Sequence, residues 1–432
     1  MPTAFVESLD HEGRGIARCE GKAIFIEGAL PGEEVEFSSY RKKPNFEQAT
    51  LSALLKPSPM RADPRCEHFG VCGGCSMQHL DSGAQVAVKQ RVLENALWHI
   101  ARIKPELILP AIHGPAWGYR YRARLGVQQL SGDRGVLVGF HEKKSNYIAD
   151  IRSCEVLPAQ ISALLLPLRE LIAGLSVSER ISSVELAVGE TRTVLVLRNL
   201  QPLTRSDEAR VLAFGEDFGV SMWLQPGGPD TTRPLRKGDQ DWLEYTLPEF
   251  GVAMRFRPTD FTQVNVEINR LLMRKSMQLL DPRPGERIAD LFCGLGNFSL
   301  PIAALGATVV GVEGLAGLVR RAMENATLNG LAERCQFKVA NLFEATPKTI
   351  AALGSFDKML IDPPREGAVA VCKALTDKAP RRIVYVSCNP ATLARDTAIL
   401  VNEKGYRLRS AGIANMFPQT SHVESIALFE RG

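Results

Sequence analysis

Short alternating runs of apolar and polar residues open the chain. Phe5-Val6-Glu7-Ser8-Leu9, Gly15-Ile16-Ala17-Arg18, Ala23-Ile24-Phe25-Ile26 and Glu34-Val35-Glu36-Phe37 each suit a strand with one buried face. Turn residues at Asp10-His11-Glu12-Gly13 and Leu30-Pro31-Gly32 separate them. So many short strands in so little chain predict a small barrel of OB-like size over residues 1–57. Lys56-Pro57-Ser58-Pro59 then reads as a linker. Residues 84–101 follow helical spacing and predict one amphipathic helix. Strands mixed with a helix at 159–174 continue to residue 256. Tyr119 to Leu125 alternates, which predicts Arg120, Arg122 and Arg124 on one face of a strand. Such a row suits either an RNA backbone or a salt-bridged solvent face.

From residue 257 the rhythm becomes strand, loop and helix. Strands are expected at 286–292, 307–313, 337–340, 358–361 and 383–386, with helices beginning at 298, 316 and 392. Two further strands, 406–416 and 423–429, have no long helix between them. This alternation predicts an α/β fold with a parallel sheet wrapped by helices and an antiparallel hairpin at one edge.

Composition changes this picture little. The chain has 432 residues, 45% hydrophobic and 23% charged, with a formal charge of +4. Nucleic-acid binding would therefore rest on local patches rather than a global field. Arg41-Lys42-Lys43 beside Tyr40 and Phe46 is one such patch, and a solvated turn is the alternative. No signal-peptide pattern and no membrane-length apolar run is visible, so the cytoplasm is the expected compartment.

The chemistry concentrates at predicted strand ends. Asp290-Leu-Phe-Cys-Gly-Leu-Gly-Asn-Phe298 is a strand running into a glycine loop, where backbone can approach a ligand closely. It departs from G-x-G-x-x-G, which disfavours a dinucleotide. Glu313, Asn341 and Asp362 follow at the ends of three further strands, suited to a ribose, an adenine edge and the rest of a nucleoside-type ligand. S-adenosylmethionine fits this set better than a phosphate-bearing cofactor. Asp362-Pro363-Pro364 invites comparison with amino methylases, but Arg365 stands where those place an aromatic residue.

Ser387-Cys388-Asn389-Pro390 places a thiol after the fifth strand, ahead of a helix. Addition of a thiolate to C6 of uracil makes C5 nucleophilic toward a sulfonium methyl group, and a base must then remove the C5 proton. Cys388 suits the nucleophile and Glu424, at the start of the last strand, suits the base. A buried structural thiol and an exposed strand-end carboxylate are the plainer alternatives.

The chain has nine cysteines and no disulfide pattern. Cys66, Cys72 and Cys75 crowd into a glycine-rich loop, spacing that a metal centre requires. Cys154 is the best fourth thiolate in the same half. Four thiolates suit a [4Fe-4S] cluster or structural zinc, whereas His68 or His79 would complete a Cys3His zinc site.

These motifs, with Phe261-Thr262-Gln263-Val264-Asn265 and His422-Val423-Glu424-Ser425, resemble the RNA uracil-C5 methyltransferases nearly end to end. The first 57 residues look like their TRAM domain, and the Cys66–Cys75 loop is similar to the iron–sulfur loop of the bacterial branch that modifies 23S rRNA. tRNA-directed bacterial members lack both modules, and a second rRNA branch lacks the barrel. The resemblance implies a Rossmann-like class I methyltransferase domain over 257–432, a TRAM barrel over 1–57 and a central α+β domain over 58–256. It implies cofactor contacts from Gln263, Phe292, Asn297, Glu313, Asn341 and Asp362, a nucleophile at Cys388 and a base at Glu424. It also implies a [4Fe-4S] cluster on Cys66, Cys72, Cys75 and Cys154, with 23S rRNA as substrate, no membrane partner and a monomeric state. Rival readings are a tRNA uracil-C5 methyltransferase, cluster-based redox or radical chemistry, and a non-catalytic RNA-binding assembly factor. The C-x3-C-x2-C radical pattern is absent.

Overall fold

The computed structural model describes residues 1–130 and 135–432. Five strands, Thr3–Leu9, Gly15–Cys19, Lys22–Glu27, Glu34–Lys42 and Phe46–Lys56, close into a barrel. Val6, Ala17, Ile24, Ile26, Val35, Phe37 and Ala49 fill it, as period-two alternation requires. The fifth strand closes the barrel by running parallel to Lys22–Glu27 and antiparallel to Glu34–Lys42. It lay outside the sequence-based expectation. Tyr40 is not free for base stacking: Lys144 Nζ lies 4.1 Å from its ring centroid, and its hydroxyl donates to Glu27 at 2.6 Å.

The central sheet has six strands, from Arg233–Pro234 at one edge to Val136–Gly139 at the other. Helices Leu165–Ala173 and Arg205–Asp217 cover one face over Val184, Leu186, Leu195 and Leu197. The expected row of three arginines does not form. Arg122 turns inward to Thr262 Oγ1 at 3.2 Å and to the Pro258 carbonyl, and Arg124 pairs with Glu185 on the adjacent strand. Arg120 precedes the strand Arg122–Gln129 and lies over Phe140.

The helix Ser82–Ala96 packs against the last layer through Leu93, with Ala84 and Val88 against Leu9, Leu30, Met77 and Leu80. Asp81 caps it, with Oδ1 accepting from Gly83 N at 2.9 Å and Ala84 N at 3.1 Å, an arrangement worth about 1 kcal/mol. A π-helical turn, Leu97–Ala101, continues it until Arg102 adopts φ 59°. Leu93 and Leu97 enter the core with Tyr385, Leu393 and Leu400, each burial contributing about 1.5–3 kcal/mol. The helical period holds, but the buried face also carries Gln85 and Lys89.

The final layer is an eight-stranded sheet. Its order is Cys335–Val339, Thr308–Glu313, Arg287–Leu291, Lys358–Ile361, Arg382–Ser387, Glu424–Glu430, Arg407–Ala414 and Leu107–Ile108. The first five are parallel, and Glu424–Glu430 is antiparallel to both neighbours. The expected hairpin is present but is not the edge, because Leu107–Ile108 pairs beyond it. Among the described residues, no helix is long and apolar enough to cross a membrane.

Candidate active site

The first parallel strand, Arg287–Leu291, lies mid-sheet, and the chain leaves it in opposite directions to Thr308–Glu313 and Lys358–Ile361. Such a switch point opens a crevice at the carboxyl ends of the strands. The glycine loop turns there. Gly296 takes φ 95° and Gly294 φ 55°, and Phe292 takes φ 63° without being glycine. A non-glycine residue held at positive φ stores strain that its surroundings must impose. Phe292 N donates to Val312 O at 2.9 Å, and the ring packs on Phe343 with centroids 5.6 Å apart.

Acceptors gather around this loop. Glu313 receives Gly294 N at 3.2 Å and Leu315 N at 3.0 Å, one on each carboxylate oxygen. Asn341 is exposed and caps a short turn by accepting Phe343 N at 3.1 Å. Asn297 is turned to the wall, where it bonds Tyr245 at 2.8 Å and exchanges bonds with Asn269 at 3.3 and 3.1 Å. Gln263 lies in the segment before Asn265, the N-cap of helix Val266–Leu280.

Asp290 and Asp362 sit at the switch point itself. Asp290 is fully buried, accepts Ser299 Oγ at 2.5 Å and leaves Oδ1 without a partner. Burial, then Asp362 and Glu313, push its carboxyl up to about 7. Burial likewise pushes Asp362 up to about 7. Two neighbouring acids that resist ionisation fit a cationic ligand, and a sulfonium nucleoside carries that charge.

Cys388 and Glu424 meet through sheet register. Ser387 pairs with Ser425 across antiparallel strands; Cys388 follows the one and Glu424 precedes the other, and the Glu424 charge acts on the Cys388 thiol. Glu424 is buried, and burial with the nearby Asp362 holds its carboxyl well above the usual range. Burial, Glu424 and Asp362 push the Cys388 thiol up to about 12, against the opposing effect of Arg365. The free protein therefore stores a thiol, not the thiolate that an arginine alone would favour.

Sequence reasoning passed over His422. Its Nδ1 lies 3.4 Å from Arg365 Nη2, its ring packs on Phe417, and burial with Arg365, Lys89 and Arg120 lowers its pKa. It lies two residues before the strand Glu424–Glu430, where period-two alternation says nothing of its partners. Asp396 was also missed. It is fully buried and accepts Tyr385 Oη at 2.6 Å and Ala368 N at 2.7 Å, tying the Asp362–Ala368 loop to the helix after Cys388.

The cysteine loop forms a second pocket. Cys66, Cys72, Cys75 and Cys154 all line one small cavity of about 20 Å³ with His68, Phe140 and Arg120. Gly73 N donates to His141 O at 2.8 Å, and a Cβ at Gly73 would lie 2.9 Å from that oxygen, so glycine permits the approach. Gly74 N donates to Cys72 Sγ at 3.4 Å. Burial, reinforced by the other thiols, pushes Cys75 up to about 12 and Cys154 up to about 11. Among the described residues, no three His, Cys, Asp or Glu side chains are gathered closely enough to hold a single metal ion. His79 is outside the cavity lining, buried against Phe69, and both its ring nitrogens lack partners. His68 Nε2 accepts Arg152 N at 3.0 Å.

The switch-point crevice, glycine loop and acidic strand ends define a Rossmann-like methyltransferase. Comparisons narrow the class. A model of the tRNA (Uracil-5-)-methyltransferase family matches residues 235–432, and a TRAM domain model matches residues 3–37. The 23S rRNA (uracil(1939)-C(5))-methyltransferase RlmD of Aromatoleum aromaticum is 66% identical over 432 residues, covering 100% of both chains. The protein of that name from Dechloromonas aromatica is 62% identical over 430 residues, again covering 100% of both. Among solved structures, Pyrococcus abyssi tRNA (uracil-54, C5)-methyltransferase in complex with S-adenosyl-L-homocysteine superposes with a TM-score of 0.75 at 24% identity, covering 99% of this chain and 100% of that one. The chain belongs to the S-adenosylmethionine-dependent RNA uracil-C5 methyltransferase family.

Proposed function

We propose that this protein methylates C5 of a uridine in 23S rRNA, of the uracil-1939 class, through a covalent adduct on Cys388. The adjoining positions of Cys388 and Glu424, at the sheet end that carries Asp290 and Asp362, support this reading most strongly. Bound S-adenosylmethionine supplies an electrophilic methyl group on a sulfonium. Gln263, Phe292, Asn297, Glu313, Asn341 and Asp362 hold the cofactor, Asn297 through its backbone. Cys388 gives up its proton to water and bonds through sulfur to C6, leaving C5 with the electron pair that takes the methyl group as S-adenosylhomocysteine departs. Glu424 then accepts the C5 proton, the C6–S bond breaks and the C5–C6 double bond returns. Positive charge arriving beside Asp290, Asp362 and Glu424 relieves their repulsion and lets the thiol and Glu424 ionise.

The target uridine must leave its stack to reach Cys388. A cleft of about 590 Å³ lies between the barrel, the cysteine loop and the segment that ends at His422, lined by Arg14, Arg120, Lys143 and Lys144 together with Glu12, Glu27 and Glu142. We assign RNA to this cleft, with units at 1–57, 58–256 and 257–432 acting together as a cytoplasmic monomer. Cys66, Cys72, Cys75 and Cys154 suit a [4Fe-4S] cluster: all four thiols line one cavity, His79 lies outside that lining, and His68 Nε2 already accepts Arg152 N. Such a group would brace the loop, and no reaction step requires it. Iron and sulfide analysis after anaerobic reconstitution tests it, with one zinc per chain as the opposing result.

The catalytic test uses 5-fluorouracil-substituted 23S rRNA fragments and tRNA transcripts. Fluorine cannot leave as a proton, so the expected result is a band with rRNA that survives a denaturing gel. A band with tRNA alone overturns the substrate, and no band with either overturns the covalent mechanism.

A further inference from the structure

The segment Asn415 to Ser421 joins the last two long strands and leads through His422 to Glu424. It is held from several sides. Lys89 Nζ donates to Asn415 Oδ1 at 2.7 Å and to Phe417 O at 2.8 Å. Gln85 Nε2 donates to Gln419 Oε1 at 2.9 Å, and Gln85 Oε1 accepts Gln419 N at 2.9 Å. From the cysteine loop, Ser76 N and Met77 N donate to Gln419 O at 2.9 and 3.0 Å, and Ser76 Oγ accepts Ser421 N at 3.0 Å. Tyr119 Oη donates to Pro418 O at 2.7 Å. Gln419 itself takes φ 66°, a left-handed conformation that a side chain adopts only under constraint.

Lys89 is the costly member of this set. It is 1% exposed, and among the described residues no carboxylate forms an ion pair with it. Burying an unpaired ammonium is expensive, and an apolar side chain of similar length would fill the space without that cost. Burial alone pushes its pKa down to about 7. What the ammonium supplies is two directed bonds to oxygens of a segment whose backbone is strained.

We propose that Lys89 is a positioning residue: its two bonds, with the Ser76 and Met77 amides on the other side, hold the Asn415–Ser421 segment so that Glu424 lies in register with Cys388. The inference rests on the reading of Glu424 as the base. It gives the cysteine loop a mechanical link to catalysis, because Ser76 follows Cys75 directly and grips the same segment. Misplacing a reacting group by ~1 Å costs on the order of 100-fold in rate. The step that suffers is proton removal, after the carbon–sulfur bond has formed.

The test compares Lys89→Met, Tyr119→Phe and Glu424→Gln in the full chain, with unmodified 23S rRNA fragment and S-adenosylmethionine. Lys89→Met should lower kcat by about 10- to 100-fold. Its KM for RNA and its affinity for S-adenosylhomocysteine should stay within about twofold, since no contact assigned to either ligand is lost. RNA–protein adduct should accumulate on a denaturing gel, as with Glu424→Gln. Tyr119→Phe should shift kcat and adduct in the same direction, by about threefold for one neutral hydrogen bond. Wild-type kcat in folded Lys89→Met overturns the inference, as does a slow variant with no adduct. If Lys89→Met does not fold, Tyr119→Phe decides: adduct supports the inference and wild-type kinetics overturn it. Should Glu424→Gln itself leave no adduct, the base assignment fails and this inference falls with it.

Discussion

The acidic pocket at the strand ends and the thiol pocket on the cysteine loop pose the same electrostatic problem. Each gathers groups that ionise to one sign and withdraws them from water, so each resists ionisation in the free protein. Both are arrangements that a cation relieves. Their construction differs. Asp290 lies in a paired strand, Asp362, Cys388 and Glu424 stand at the ends of paired strands, and a strand cannot slip by one residue without reversing its buried face. The thiols rest on a loop tied by scattered bonds, such as Gly73 to His141 and Cys66 N to Gln78 Oε1 at 3.0 Å. The first pocket should therefore keep its shape when empty, and the second should depend on what it holds.

Removing the nucleophile separates the two pockets most sharply. Cys388→Ala should lower methylation by about 1,000-fold or more while S-adenosylhomocysteine binds within about twofold of wild type. Retention of a tenth of the activity would refute the covalent route. Glu424→Gln should lower turnover by about 100- to 1,000-fold and leave adduct on unmodified RNA. Free turnover by that variant removes its role as base.

On the other side of the comparison, if the four thiols hold the proposed cluster, Cys72→Ser with Cys75→Ser should abolish reconstitution with iron and lower the melting temperature by about 5 °C or more. Affinity for S-adenosylhomocysteine should barely change, since none of the residues assigned to the cofactor lies on the loop. If the variant retains iron and melts normally, the thiol pocket is not a metal centre.

The smallest effect concerns pH. The raised carboxyls of Asp290 and Asp362 mean that the empty protein holds protons its unfolded chain would release. Their stabilising contribution is complete below the ordinary carboxylate range and disappears as pH rises through about 7. A cation binds the ionised form, so S-adenosylmethionine should bind more weakly as pH falls from 8 to 6, by at most about tenfold per unit for each coupled proton. Calorimetry in buffers of different ionisation enthalpy should show proton release on binding. Asp362→Asn should flatten that dependence, and an unchanged slope would place the titration elsewhere.

Much of the architecture was legible from pattern. Alternation located four barrel strands, and the strand–loop–helix rhythm after residue 257 located the parallel sheet to within a few residues. Phe46–Lys56 escaped because its apolar positions do not alternate cleanly. The arginine row failed for a different reason: alternation places side chains on a face but says nothing of partners such as Glu185 or Pro258. Residues 84–101 read as one amphipathic helix, and helical spacing carries no sign that Gln85 and Lys89 lie on its buried face.

The sequence by itself determined which segments could be strands, where the glycine loop turns and which thiols and carboxylates stood at strand ends. These follow from φ/ψ preferences and side-chain periodicity, which act over a few residues. Tertiary structure alone decided that Cys388 and Glu424 come together, that burial and Asp362 raise Asp290, and that Lys89 is buried against Asn415 Oδ1 and Phe417 O. Those outcomes depend on desolvation and Coulomb interaction. Both are set by neighbours that the chain brings from tens or hundreds of residues away.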